Sequence, residues 1–274
     1  MSLFTIDEEK CDLCLLCLAA CRAGLIAVTG NGSVPSPVDH AEEVCFRCGH
    51  CVAVCPTGAF SHQYAPAEQC LPIRPELRIT GEQAGQLMRS RRSVRNFTDK
   101  PVARDTITEL LDIARFAPSG ANAQPVHWLV IHDLAQVRQV PELVVGGLRH
   151  TLAQSPDSPL AAILSRLVKA WDEGINVITW GAPHLILAHA LKANPLAPSA
   201  CIIAQTYLEL SASAHGLGAC WMGLVDMTAN DWPPLREFLA LPAEHIVLAS
   251  MAIGHPEFQY VRIPPREPLR VAWR

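Results

Sequence analysis

From Gly81 onward the apolar and polar positions follow helical and strand periods. In Thr106–Ala117, the residues Ile107, Leu110, Leu111, Ala114 and Phe116 fall near one side, which predicts an amphipathic helix. Glu82–Ser90 has the same spacing, and Ser199–Ala214 predicts a long apolar helix stopped by Gly216. The runs Val126–Ile131 and Leu185–Ala188 predict buried strands, and Leu217–Leu224 and Ile246–Ile253 predict further ones. Residues 134–180 are weakly periodic, with Pro141, Pro156 and Pro159 blurring their helix boundaries. The tail from Pro256 to Arg274 carries four prolines and four arginines and little period. Such a tail is expected to lie on something or to be disordered.

The first sixty residues follow another rule. Cys11-x-x-Cys14-x-x-Cys17-x-x-x-Cys21-Arg22-Ala23-Gly24 recurs 34 residues later as Cys45-x-x-Cys48-x-x-Cys51-x-x-x-Cys55-Pro56-Thr57-Gly58. Each half is too poor in apolar residues to fold alone, so the repeat predicts a small pseudo-symmetric unit. Ser61–Thr80, with Pro66, Pro72 and Pro75 and no helical period, reads as a linker. The expected division is a cysteine domain over 1–62, a linker over 63–80 and a larger domain over 81–274.

Composition narrows the field. Half of the 274 residues are hydrophobic and 18% are charged, which excludes intrinsic disorder. The net charge of −4 gives no electrostatic footprint for nucleic acid or an anionic membrane. No apolar stretch approaches the roughly 18 residues of a membrane span. The acidic start, Asp7-Glu8-Glu9, lacks the plan of a signal peptide. These features predict a cytoplasmic chain with no membrane or nucleic-acid partner.

Eight of the eleven cysteines fall between residues 11 and 55, too clustered for a secreted disulfide scaffold. Their spacing matches the bacterial ferredoxin pattern, in which three thiolates on one loop are completed by the fourth cysteine of the other loop. Cys11, Cys14, Cys17 and Cys55 would hold one 4Fe–4S cluster, and Cys45, Cys48, Cys51 and Cys21 the other. Structural zinc, which prefers pairs of cysteines separated by a longer span, fits this density less well. Arg22 stands where a proline usually follows the fourth cysteine, and it would favour the reduced state, whereas Asp7, Glu8 and Glu9 oppose it. Cys70, Cys201 and Cys220 read as small buried or linker residues, and His50 and His62 as spectators.

Three segments of the larger domain carry candidate chemistry. Arg91-Arg92-Ser93-Val94-Arg95 is either a solvated basic helix end or a phosphate clamp. Pro118-Ser119-Gly120-Ala121-Asn122-Ala123-Gln124-Pro125 is an ordinary loop or one that offers hydrogen bonds to a planar heterocycle. Gly216-Leu217-Gly218-Ala219-Cys220-Trp221-Met222-Gly223 is plain strand packing or a close backbone approach to a ligand. No G-x-G-x-x-G opens a helix after a strand, so the Rossmann fingerprint is missing.

Taken in order, with Arg266-Glu267-Pro268-Leu269, these segments resemble the nitroreductase family of FMN-dependent oxidoreductases, and the whole chain resembles a ferredoxin–nitroreductase fusion. The resemblance implies an α+β fold, a nitroreductase-like FMN domain preceded by a small ferredoxin-like domain. It implies a homodimer with FMN at the subunit interface and a C-terminal tail wrapped on the partner. Arg91, Arg92 and Ser93 would hold the phosphate and ribityl chain, and Arg95 would sit near the pyrimidine edge. Pro118, Ser119, Gly120 and Asn122 would reach FMN from the partner subunit. Trp221, Met222 and Gly223 would line the isoalloxazine, and Arg266 would close over the phosphate. Pro264 stands where relatives often carry a second basic residue, which places more of the phosphate on Arg91 and Arg92.

The implied function is reduction of a small acceptor (nitroaromatic, quinone or activated alkene) by FMN, with electrons relayed through two clusters from an external low-potential donor such as ferredoxin. No protein nucleophile or acid–base residue is expected. A redox-sensing or electron-transfer module, or a specialised biosynthetic or flavin-modifying oxidoreductase, is the alternative.

Overall fold

In the computed structural model, which describes residues 2–274, the 34-residue repeat of the sequence is also a repeat of backbone angles. Leu13 and Arg47, each two positions after the first cysteine of its copy, have φ of 55° and 53°. Leu15 and Gly49 follow at 59° and 72°, and Gly24 and Gly58 end the copies at 67° and 68°. Only glycine enters this region freely, and a side chain there costs on the order of 1–3 kcal/mol. Leu13, Leu15 and Arg47 therefore hold strained turns in the cysteine loops.

Around these turns the elements are minimal. They run β1 (Phe4–Ile6), α1 (Leu16–Ala20), β2 (Ile26–Ala27), β3 (Ser36–Pro37), α2 (Ala41–Val44), α3 (His50–Ala53) and β4 (Phe60–His62). β1 pairs antiparallel with β4 and β2 with β3. Leu3, Phe4, Leu25, Ile26, Val52 and Phe60 form the small core, with the Phe4 and Phe60 rings 4.5 Å apart. Cys17, Cys21, Cys45, Cys51 and Cys55 pack against it. This compact unit runs up to Arg78 and includes Ala121–Ala123. Ser61 and His62 belong to β4, because Phe60 anchors that strand in the core. Beyond it are two single turns of 3-10 helix, Ala67–Gln69 and Pro75–Leu77.

The second unit comprises Ile79–Gly120 and Gln124–Arg274. It opens with α4 (Gly81–Ser90), whose start is fixed by a capping box. The Gln83 amide donates to Thr80 Oγ1 at 3.1 Å, and the Thr80 amide to Gln83 Oε1 at 2.8 Å. Then follow α5 (Arg104–Ala114), β5 (His127–Ile131), α6 (Leu134–Val137), α7 (Val140–Gln154), α8 (Ala161–Asp172), β6 (His184–Leu191), α9 (Ala197–Ala214), β7 (Gly218–Trp221), α10 (Gly223–Ala229), α11 (Pro233–Leu239) and β8 (His245–Gly254).

The four strands form an antiparallel sheet in the order β5-β6-β8-β7. Successive side chains of β6 face opposite ways, as a strand requires. Ile186 packs with Leu110, Leu208 and Met251 under α5 and α9, whereas Leu185 and Leu187 join Val144, Leu148 and Leu235 under α7 and α11. A bulge between Ala188 and His189 breaks the register with β8. The Asn230 side chain meets β8 nearby, donating to the Val247 carbonyl at 2.8 Å and accepting its amide at 2.9 Å.

Two sequence expectations change. The strand expected over Leu217–Leu224 ends at Trp221, and Gly223 already begins α10. The Met222 carbonyl accepts the Val225 amide at 2.8 Å, which turns the chain into the helix; a short apolar run does not distinguish the two states. Residues 134–180 hold three helices, with Pro141 in the first turn of α7, where its missing amide has no partner to lose. The tail from residue 257 is exposed and irregular, with Trp273 at 90% exposure.

Candidate functional site

In the first unit four of the eight thiols of the repeat surround one space. Cys11, Cys14, Cys17 and Cys55 line one cavity, walled by Ile6, Pro35, Ala59 and Phe60. The four surround a space instead of converging on a point; among the described residues no group of three or more His, Cys, Asp or Glu is placed to hold a single metal ion. A cube of iron and sulfide suits such a lined space. Burial raises the Cys17 thiol pKa, and neighbouring Cys14 and Cys55 raise it further. Cys51 is pushed up to about 11, first by burial and then by Cys48 and Cys21, against the opposing pull of backbone hydrogen bonds. Cys21 thus stands with the second loop and Cys55 with the first. Backbone amides already point at sulfur, Leu25 to Cys21 and Arg47 to Cys45, each at 3.4 Å.

The histidine set aside as a spectator lies against one of the candidate cysteines. His62 is buried, and its Nε2 lies 3.5 Å from Cys45 Sγ. Its pKa is lowered by burial and by the nearby Arg47 charge. No spacing rule could find it, since the contact depends on β4 returning along β1.

In the second unit the fold brings two of the three candidate segments together. The Val94 amide donates to the Ala219 carbonyl at 2.9 Å, so Arg91–Arg95 runs beside β7 as a short parallel extension of the sheet. The Cys220 thiol is buried beneath the junction, and burial raises its pKa. A cleft of about 280 Å³ opens here, with Ser90, Arg91, Arg92, Glu209 and Ser213 as polar lining and Leu217 and Tyr260 as apolar walls.

Glu209 is the residue the sequence reading missed. It is buried on α9, accepts Arg91 Nη1 at 2.7 Å on one oxygen, and accepts Trp221 Nε1 at 3.1 Å on the other. One carboxylate thereby orients a candidate phosphate ligand and a candidate ring neighbour. Arg92 makes no ion pair among the described residues, so its guanidinium is the less committed of the two. Arg95 is exposed, with its guanidinium 5.5 Å from the Trp180 ring.

The other candidates are placed separately. Met222 has its side chain in the core, so only its backbone is available to a ligand. Gly223 is different: a Cβ built there meets nothing within 4 Å, so the chain's own packing does not demand glycine, and a ligand can approach the bare backbone. Pro118, Ser119, Gly120 and Asn122 lie on the turn after α5, where Ala121, Asn122 and Gln124 all have positive φ and Ser119 Oγ accepts the Gln124 amide at 3.0 Å. No hydrogen bond among the described residues joins that turn to Arg91–Arg95. Arg266 sits in the exposed tail and makes no ion pair or hydrogen bond among the described residues.

A family model described as the nitroreductase family matches residues 88–255, more than half of the chain. The chain belongs to the nitroreductase family. A second model, a 4Fe-4S dicluster domain, matches residues 10–59 and makes this nitroreductase a fusion. The iodotyrosine deiodinase of Thermotoga neapolitana is 28% identical over 188 residues, covering 66% of this chain and 92% of that protein. An FMN reductase (NAD(P)H) of Bacillus subtilis is 27% identical over 177 residues, covering 63% and 66%. Among solved structures, a nitroreductase with bound FMN from Bacteroides fragilis superposes with a TM-score of 0.58 at 20% identity, covering 70% of this chain and 99% of that one. The fold is the mixed helix and sheet arrangement of this family. Among the described residues no helix is long and apolar enough to cross a membrane.

Proposed function

We propose that this nitroreductase-family, FMN-dependent oxidoreductase is fed through two 4Fe–4S clusters by an external low-potential donor and reduces a small nitroaromatic, quinone or activated alkene. The observation that carries the reading is the Val94–Ala219 hydrogen bond, which sets the basic segment beside the strand that leads to Gly223. When bound, the clusters supply single electrons and the flavin supplies hydride chemistry. The FMN found in the Bacteroides fragilis neighbour, and the name of the Bacillus subtilis relative, support that choice of flavin.

The chain's own groups take the remaining roles. Arg92 and Ser93, with Arg91 held by Glu209, bind the phosphate and ribityl chain. Arg95 supplies positive charge at the pyrimidine edge, where it stabilises an anionic reduced ring. The indole of Trp221 and the open backbone at Gly223 line the ring. Pro118, Ser119, Gly120 and Asn122 complete the site from a partner subunit, and Arg266 closes over the phosphate. Exposed Ile202 and Tyr207 on α9, and Trp273 on the tail, leave apolar surface for that second copy.

The test is anaerobic. The reconstituted protein is offered reduced ferredoxin or NAD(P)H, with a panel of nitroaromatics, quinones and activated alkenes. Turnover with ferredoxin supports the relay. Turnover with NAD(P)H alone removes it, and a reduced protein that passes electrons to no small acceptor removes the enzyme reading.

A further inference from the structure

The two cysteine loops repeat in sequence and in backbone, yet their surroundings differ at one buried position. His62 ends β4 and is 3% exposed. The Tyr64 amide donates to His62 Nδ1 at 3.1 Å, so Nδ1 is an acceptor and the ring proton of the neutral imidazole sits on Nε2. Nε2 lies 3.5 Å from Cys45 Sγ, and the Arg47 amide donates to the same sulfur at 3.4 Å. The Arg47 guanidinium covers the Tyr64 ring at 3.8 Å, which places a cation beside the same loop.

Thirty-four residues earlier the corresponding positions are Cys11, Val28 and Leu13. The Val28 side chain has nothing to donate, and among the described residues neither the Leu13 amide nor any side chain hydrogen-bonds to Cys11 Sγ. The first copy instead carries Asp12, which accepts the Cys14 amide at 3.2 Å, where the second has Phe46. Reduction adds negative charge to a cluster. A donated N–H and a nearby cation therefore favour the reduced state, and a carboxylate opposes it.

We infer that His62 is a positioning and tuning residue that, by donating from Nε2 to Cys45 Sγ, makes the cluster held by Cys45, Cys48, Cys51 and Cys21 easier to reduce than its twin. The inference rests on the two-cluster reading and adds a direction to it. Electrons that enter the first unit come to rest on the second set of cysteines, and the set of Cys11, Cys14, Cys17 and Cys55 is the low-potential side.

The experiment is an EPR-monitored redox titration of the anaerobic holoprotein, unmodified and as His62→Val, the residue of the first copy. Two one-electron waves are expected in the unmodified protein. In His62→Val the more positive wave moves toward the other by about tenfold in its reduction equilibrium, ~59 mV for one electron, while the lower wave stays. His62→Gln, which keeps a side-chain N–H, retains most of the separation. Histidine labelled with ¹⁵N in otherwise unmodified protein shows a hyperfine coupling to one reduced cluster only, a measurement that stands even where His62→Val assembles poorly. Two waves that both ignore His62→Val, or that shift together, overturn the inference, as does the lack of any histidine coupling. A protein with iron for a single cluster and one wave overturns the two-cluster reading, and the inference with it.

Discussion

Val94 and Ala219 are joined by one backbone hydrogen bond of 2.9 Å, and the contact is that close only because the residue before Ala219 has no side chain. A Cβ on Gly218 would stand 2.8 Å from the Val94 Cβ, and its φ is otherwise ordinary, so the glycine is required by this approach and not by a turn. Arg91, Arg92, Ser93 and Arg95 all hang from that junction.

Gly218→Ala should therefore act on binding as well as on stability. Overpacking of this kind costs typically about 1–3 kcal/mol. The basic segment is the softer of the two surfaces and should be the one to move. The expected result is a lowered melting temperature together with FMN affinity reduced by several-fold or more, read by thermal unfolding and by quenching of FMN fluorescence. Unchanged affinity with lowered stability would detach the junction from the flavin site.

The Glu209 carboxylate leads to a second expectation, because it holds Arg91 and Trp221 at once. Its carboxylate is nearly buried while the Arg91 guanidinium is partly exposed, so truncation to alanine should cost only on the order of 1–3 kcal/mol. Arg91→Ala and Arg92→Ala should each weaken FMN binding, since a charge-assisted hydrogen bond contributes about 1.5–3 kcal/mol. The loss should be greater for Arg92→Ala, because Arg91 already shares its charge with Glu209. Titration of each apoprotein with FMN ranks the two, and the reverse order would place the phosphate on Arg91.

Sequence alone carried the parts of this design that are local. The cysteine spacing, matched to the ferredoxin pattern, set Cys55 with the first loop, and in the structure Cys55 lines a cavity with Cys11, Cys14 and Cys17. The helices around Thr106–Ala117 and Ser199–Ala214 showed in their apolar spacing and appear as Arg104–Ala114 and Ala197–Ala214. What stayed hidden was long-range. Glu209 meets Arg91 across 118 positions, and on an apolar helix it reads as one stray charge. His62 meets Cys45 only because β4 returns along β1. The turn at Met222 was illegible because helix and strand share the same apolar letters there.

Acid should unfold the second unit early, and His184 supplies a reason. Its Nε2 accepts the Val102 amide at 2.8 Å and its Nδ1 donates to the His132 carbonyl at 3.0 Å, so both nitrogens serve the neutral ring. Burial, then the neighbouring His132, pushes its pKa down from 6.5 to about 4. Between those values the unfolded chain binds a proton that the native ring refuses, so stability is full above pH 6.5 and falls as pH drops toward 4. The loss is on the order of 3 kcal/mol when complete. All six tryptophans lie beyond residue 127, so tryptophan fluorescence, excited where tyrosine does not absorb, reports this unit alone. Urea unfolding at pH 7.5 and pH 5 should show the fall in the unmodified protein and a smaller one in His184→Gln. Equal falls in both would assign the acid sensitivity elsewhere.

Cys48→Ser separates the two units by function. Cys48 is an exposed thiol on the second loop, away from the small core that Phe4 and Phe60 build, so its loss should remove a ligand while leaving that core in place. Serine is a poor substitute for a thiolate toward iron, and iron content should drop from about eight atoms per chain toward four. FMN content should stay, because Arg91–Arg95 and β7 belong to the other unit. Flavin reduction by reduced ferredoxin should slow sharply, whereas reduction by NAD(P)H, where it occurs, should keep its rate. Because cluster loss can unfold a domain this small, the circular dichroism of the variant is compared first. Ferredoxin-driven reduction at equal rates in a folded variant with half the iron would show that electrons reach the flavin without passing the Cys45, Cys48, Cys51 and Cys21 set, and would refute the relay through that cluster.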